Sequence, residues 1–267
     1  MVTSYQAPSV TKAFQILRLI SKARFGLGIT EIANRLEMSK GTVHGIVSAL
    51  ENSGAIMRAT TTKRYTLGVT LFEFGKQAYS QFDLKDLARP VMERLMGRMS
   101  ETVYLGILNK NHITILDIVE SSQDHKITSP KGTIIPLFAG ATGKVVLASM
   151  DPDQALRIIT SDGLPRFTEH TVTDPERYLQ EVAHARRDGY ATDDEEYISG
   201  VRAVAAPIKG WRHLISALWV VGFKRSLDGE KMADLISATK AAAGEIGRLC
   251  SLDPSFTSGQ GYPESVA

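Results

Sequence analysis

The chain has 267 residues, 43% of them apolar and 22% charged, enough for a buried core and, by length, for two domains. Its longest uncharged apolar run, Leu214 to Phe223, is far short of the roughly 20 residues that a membrane span needs, and no basic segment leads into an apolar stretch at its start, so neither a membrane helix nor a secretory leader is expected. The net charge of +2 conceals an asymmetry: residues 1–80 carry ten Lys and Arg against four Glu and no Asp, which gives +6 there and −4 in the remainder.

Apolar residues at helical spacing, Val10, Ala13, Phe14, Leu17 and Ile20, predict an amphipathic helix over Val10 to Arg24 that ends at Gly26 and Gly28. Thr30 offers a cap for a short second helix with the stripe Ile29, Ile32, Ala33 and Leu36. Ser39 offers one for a third helix, whose stripe is Val43, Ile46, Val47 and Leu50 and which closes at Asn52, Ser53 and Gly54. Two short helices joined by a three-residue turn form a helix-turn-helix. The period then changes: Ile56 and Met57 read as a strand, Thr60 to Thr62 as a turn and Arg64 to Leu67 as a second strand, together a wing. A helix follows from about Val69 to Gln81, then Asp83 as the cap of another, Leu84 to Met99, in which Pro90 marks either a kink or the first turn.

Beyond Ser100 the pattern is mixed. Strands are predicted at Thr102 to Leu108 and His112 to Val119 across Asn109 to Asn111, and again at Ala203 to Ile208 and Ile215 to Phe223. Helices are predicted at Ala139 to Met150, from Asp151-Pro152 onward, at Glu176 to Asp188 and at Asp228 to Cys250. Irregular alternation with hairpin-like pairs favours an α+β sheet over a doubly wound one. The resulting division is a winged helix-turn-helix over 1–68, a linker helix over 69–82, a sheet domain over 83–250 and a disordered tail over 251–267.

Chemistry is sparse in the sequence. The lone Cys250 excludes an internal disulfide framework and a multi-cysteine metal site, and sets a reducing, cytoplasmic location as the expectation. The six histidines lack metal-ligand spacing and no catalytic triad is legible, so no metal, cofactor or enzymatic activity is expected. Gly140 to Lys144 is not a phosphate loop, because Phe138 and Val145 stand where that motif needs glycine and serine or threonine. Asp193 to Glu196, four adjacent acids, read by themselves as a solvent-facing loop.

Ile29-Thr30-Glu31-Ile32-Ala33-Asn34-Arg35-Leu36, Ser39-Lys40-Gly41-Thr42-Val43-His44 and Lys63-Arg64-Tyr65-Thr66-Leu67-Gly68 resemble the N-terminal domain of IclR-type transcriptional regulators. Further matches follow in order: Leu87-Ala88-Arg89-Pro90, Glu101-Thr102-Val103, Pro136-Leu137, Gly143-Lys144, Gly163-Leu164-Pro165, Arg187-Asp188-Gly189-Tyr190-Ala191, Asp193-Asp194-Glu195-Glu196 and Gly200-Val201-Arg202 with Ala205-Ala206-Pro207. The resemblance spans Val10 to Leu249. It implies a winged helix-turn-helix, a linker helix and a GAF-like or profilin-like antiparallel-sheet domain that binds a small organic acid. It also implies a double-stranded DNA operator, control of a catabolic operon, and homodimers joined through the DNA-binding domains or paired into homotetramers.

With the apolar stripe inward, a 100° step puts Gly41, Gly45, Ser48 and Asn52 at the centre of the third helix's outer face, flanked by Thr42 and His44. The candidate DNA contacts are Ser39, Lys40, Gly41, Thr42, His44 and Ser48 on this helix and Arg58, Lys63 and Arg64 on the wing. Family members carry serine or threonine at Gly41 and arginine at Gly45. Either the backbone approaches DNA closely or contacts have been lost. In the second domain the resemblance implies a pocket made by Phe138, Ala141, Thr142, Asp193, Ala203, Ala205, Trp219 and Val221. An effector carboxylate would meet the free N–H groups near Ala141 and Thr142. Asp193 would point to the effector, and the other acids would anchor their loop with Arg202 as a partner. Members that bind keto acids carry cysteine at Ala203 and serines at Trp219 and Val221, so this pocket favours an apolar or aromatic body, unless Trp219 merely fills space. The competing reading is a small-molecule enzyme or sensor whose N-terminal module binds protein.

Overall fold

A computed structural model describes residues 7–161, 163–211 and 214–252. The chain separates into two compact units between Phe82 and Asp83. Residues 253–267, most of the stretch read as a disordered tail, lie outside the described residues, whereas Ser251 and Leu252 continue the last helix.

The N-terminal unit holds α1 (Pro8–Ser21), α2 (Ile29–Arg35), α3 (Lys40–Asn52), the wing strands β1 (Ile56–Arg58) and β2 (Tyr65–Leu67), and α4 (Val69–Ser80). Its core is Ile16, Ile20, Leu27, Ile32, Ala33, Val43, Val47, Ile56 and Tyr65. The buried face of α1 is Ile16 and Ile20, while Val10 and Phe14 stay exposed, because α3 and β2 are the elements that press on this helix and they leave its first half uncovered. The cap of α2 is Gly28 instead of Thr30: the helix starts at Ile29, and the Gly28 N–H donates to Glu31 Oε2 at 2.8 Å. Ser39 caps α3 as read, its Oγ accepting the Thr42 N–H at 3.1 Å. The two wing strands pair antiparallel, Ile56 opposite Leu67 and Arg58 opposite Tyr65.

The C-terminal unit begins with α5 (Leu84–Met99), in which Pro90 falls in the second turn and not the first. A six-stranded antiparallel sheet follows, ordered β5-β4-β3-β8-β7-β6, from β3 (Thr102–Asn109), β4 (His112–Val119), β5 (Ile134–Pro136), β6 (Ala191–Asp194), β7 (Val201–Ile208) and β8 (Ser216–Phe223). The helices α6 (Gly140–Ala148), α7 (Pro152–Ser161) and α8 (Pro175–Asp188) cover the face that carries Tyr104, Ala203, Ala205, Ala217 and Trp219. Alternation turns Val204, Leu218 and Val220, all buried, to the other side. There α5 and α9 (Gly229–Leu252) pack on one another and on the sheet. The outer strands β5 and β6 are absent from the sequence reading; three and four residues long, they carry too little alternation to register.

Candidate nucleic-acid interface and ligand cavity

On α3 the Ser39 and Thr42 hydroxyls lie 2.9 Å apart and close the N-cap, so both are spoken for in the free domain. Lys40, Gly41, His44 and Gly45 are exposed and Ser48 is half-buried, the arrangement expected of a groove-facing surface. A Cβ added at Gly41 or Gly45 would meet nothing within 4 Å. The free fold therefore does not require glycine at either position. Gly45→Ala should stabilise the N-terminal unit by about 1 kcal/mol through helix propensity alone, seen as a higher urea midpoint for its unfolding phase. An unchanged or lower midpoint would show a packing constraint that the open space does not reveal.

The three wing residues are not equivalent. Lys63 is exposed at the turn with a left-handed backbone, φ 56°. The Arg58 guanidinium lies 5.7 Å from the Tyr65 ring centre. Arg64, read as a DNA contact, is partly exposed and also tied within the domain: its Nε donates to the Gly26 carbonyl at 3.1 Å and its terminal nitrogen to Glu31 Oε1 at 2.8 Å. Glu31 thereby ties the start of α2 to the wing. The Gly28 N–H, followed by the Arg64 guanidinium, holds the Glu31 carboxyl below the usual carboxylate range.

The C-terminal unit contains a cavity of about 70 Å³ between the sheet and the start of α6. Of the pocket residues read from sequence, Ala141, Thr142, Asp193, Ala203, Trp219 and Val221 line it. Phe138 and Ala205 do not. Phe138 turns edge-on to Tyr178 of α8, ring centres 5.8 Å apart, and Ala205 is fully buried one pleat beyond Ala203, opposite Trp219. The sequence reading missed Tyr104, Ile115, Ile127, Ser129, Ile135 and Tyr197, which share the lining.

Trp219 is a wall of this cavity. Its indole stacks on Tyr104, centres 5.4 Å apart and planes within 7°, and it is only 5% exposed. The stack needs Gly106, where a Cβ would fall 2.7 Å from the indole edge. The Tyr104 hydroxyl donates to the Ile127 carbonyl at 3.0 Å, and burial pushes it up to about 12.

Of the acidic run only Asp194 is exposed. Asp193 belongs to β6, is 5% exposed, and its Oδ1 accepts the Glu196 N–H at 2.7 Å. Asp194 takes a two-pronged bond from Arg202 at 2.8 and 3.0 Å. Glu195 binds Lys224 Nζ and accepts the Gly200 N–H at 2.8 Å. Glu196 lies 2.5 Å from Lys144 Nζ. Lys144, on α6 and 2% exposed, also reaches Glu181 of α8 at 2.5 Å and the Thr192 carbonyl at 3.1 Å. Burial raises both Asp193 and Glu196 above the usual carboxylate range. Among the described residues no His, Cys, Asp and Glu group could hold a metal, and no helix is long and apolar enough to cross a membrane.

Comparison with known proteins decides between the readings. Residues 9–59 match the IclR helix-turn-helix domain, and residues 76–248 match the bacterial transcriptional regulator IclR C-terminal domain. The chain belongs to the IclR family. This IclR-family regulator is 36% identical to the HTH-type transcriptional regulator BhcR of Paracoccus denitrificans over 200 residues, 75% of this chain and 71% of that protein. The crystal structure of the Thermotoga maritima IclR is 28% identical, superposes with a TM-score of 0.67, and is matched over 92% of this chain and all of its own. An IclR homologue from Microbacterium hydrocarbonoxydans, crystallised with 4-hydroxybenzoate, superposes at 0.75 with 24% identity over 92% of this chain and all of that one. The regulator thus binds DNA through its helix-turn-helix and carries an effector domain, and the enzyme reading falls.

Proposed function

We propose that this IclR-family regulator senses a small organic acid with an apolar body in the cavity beside Trp219 and controls a catabolic operon by binding an inverted-repeat operator as a homodimer or a pair of homodimers. The observation that carries the ligand reading is the lining: isoleucine, valine, alanine and aromatic walls, with Thr142 and Asp193 as the polar groups beside the first turn of α6. That turn also supplies the N–H groups of Ala141 and Thr142 for an acid. A volume of about 70 Å³ favours a short body over an aromatic one; an engineered cavity that takes up benzene is about 150 Å³. The homologue crystallised with 4-hydroxybenzoate supports an acid as the class of ligand while leaving its size to this chain's own walls.

Assembly through the N-terminal units is supported by the apolar side chains they leave exposed. Val10 and Phe14 on α1 and Val69, Phe72 and Phe74 on α4 are more than half exposed, Met57 and Leu67 on the wing somewhat less, and α4 buries no residue. Exposed apolar groups at this density mark association surfaces, and dimer symmetry is mirrored in the operator.

DNA upstream of the chain's own gene is the test substrate. Affinity should fall a thousandfold or more between roughly 50 and 200 mM salt, as counterion release requires for six or more phosphate contacts. Lys63→Ala and Lys40→Ala should weaken binding, with a shallower salt slope for each residue that meets a phosphate. Arg64→Ala is the poorer probe, because it also unties the wing from Glu31. Salt-independent affinity, or a footprint confined to a single half-site, would overturn the reading.

A further inference from the structure

The cavity already holds a carboxylate. Asp193 reaches it from β6, and its Oδ2 closes on the first residue of α6 so tightly that a Cβ at Gly140 would fall 1.8 Å away, at a position whose left-handed φ of 47° also favours glycine. The helix terminus that would receive a ligand's acid group is therefore occupied in part by the protein's own.

Among the described residues, the charges around the cavity are already paired with the protein's own acids. Lys144 on α6 is the nearest positive group, and it is divided between Glu196 of the β6–β7 connection and Glu181 of α8. Arg177, also on α8, lies 3.4 Å from the same Glu181. Arg202 on β7 is held by Asp194, and Lys224, after β8, is held by Glu195 and Asp194. His170 lies between Glu169 and Glu195, at 3.6 and 4.0 Å, and Glu120, which acts on Tyr104, is paired with Lys126 at 2.8 Å. Tyr178 from α8, Tyr104 from β3 and Tyr197 from the connection add hydroxyls. Lys144 with Glu181, Glu196 and Asp193 sums to −2, and Arg177 brings it to −1. In a cavity of about 70 Å³ an incoming carboxylate stands within a few ångströms of Asp193, and two carboxylates at such a distance do not both remain ionised.

We infer that the effector acid binds together with one proton taken from solvent and shared between its carboxylate and Asp193. The inference rests on the acid-sensing reading above and deepens it: the regulator responds to acid concentration and pH together. Burial already holds Asp193 above the usual carboxylate range, so the free protein is part of the way to the protonated state. The sign follows from linkage. Affinity is full where free Asp193 is already protonated and falls as pH rises above that point, by about tenfold per pH unit for one proton taken up.

Isothermal titration of the full chain with pyruvate and with propionate, both ionised between pH 6 and 8, tests this in pairs of buffers with different ionisation heats. For an acid that binds, the expected results are a dissociation constant that weakens about tenfold from pH 7 to 8 and a buffer-dependent heat corresponding to uptake of one proton. Asp193→Asn should abolish both dependences and bind more tightly than the parent at pH 8. Saturable binding with a pH-independent constant and buffer-independent heat would overturn the proton linkage and leave the acid-sensing reading standing. No saturable binding of either acid, nor of benzoate or 4-hydroxybenzoate, would overturn the acid-sensing reading and the linkage with it.

Discussion

Replacing Lys144 by methionine should destabilise the C-terminal unit by about 3–5 kcal/mol, the range found when one partner of a buried ion pair is removed. The ammonium is nearly inaccessible and lies 2.5 Å from two carboxylates, Glu181 and Glu196, that come from different elements. Its loss leaves both acids without their shared counter-charge, beside Asp193. The effect should depend on pH in a definite sense. Glu196 is already raised by burial, and the substitution raises it further, so the folded state binds a proton that the unfolded chain has released. Stability of the variant therefore drops as pH rises through the folded-state value, and the deficit is smaller at pH 5 than at pH 8. Adding Glu196→Gln should return part of the loss at pH 8. Urea unfolding of the parent, the single and the double variant at both pH values measures this. A deficit under about 1 kcal/mol at pH 8 would mean that water reaches the cluster.

Trp219→Ala should have an effect of similar size on stability and a larger one on selectivity. Truncating a buried tryptophan costs about 3–5 kcal/mol, and here it also removes the stack on Tyr104 and uncovers Gly106. The space released adjoins the existing cavity. The variant should accordingly bind benzoate and 4-hydroxybenzoate, whereas the parent is expected to favour short acids. In the parent, intrinsic fluorescence reports on both Trp211 and Trp219, and the variant keeps Trp211 alone, so the comparison isolates the cavity signal. Equal preference for aromatic acids in parent and variant would show that Trp219 moves aside readily and does not set ligand size.

The parts of the molecule legible in the sequence are those specified by neighbours along the chain. Ser39 and the stripe through Val43 and Val47 define α3 from one cap and one period, and the turn between Ile56 and Leu67 defines the wing. Locality also explains the errors. Thr30 is as good a cap as any for α2 until Glu31 is seen to accept the Gly28 N–H. The acidic run reads as solvated because its partners are distant in sequence: Lys144 is 52 residues from Glu196, and Lys224 is 29 from Glu195. Tyr104 could be found as a pocket residue only through the pairing of β3 with β8, which sets it opposite Trp219. Ile127 and Ser129 lie between β4 and β5, where no periodicity marks them. Ala205 shares a face with Ala203, but that face continues into core beyond the cavity's end, which the resemblance alone does not reveal.

Coupling between the two functions is measured most directly by titrating labelled upstream DNA with the full chain, by fluorescence anisotropy, in the presence and absence of an acid that saturates the cavity. The predicted result is a change in operator affinity of about fivefold or more, within the usual 1–3 kcal/mol of coupling between sites, with the same factor recovered when acid affinity is measured on DNA-bound and free protein. An acid that fills the cavity yet leaves operator affinity unchanged would contradict the assignment of this domain as the sensor that controls DNA binding.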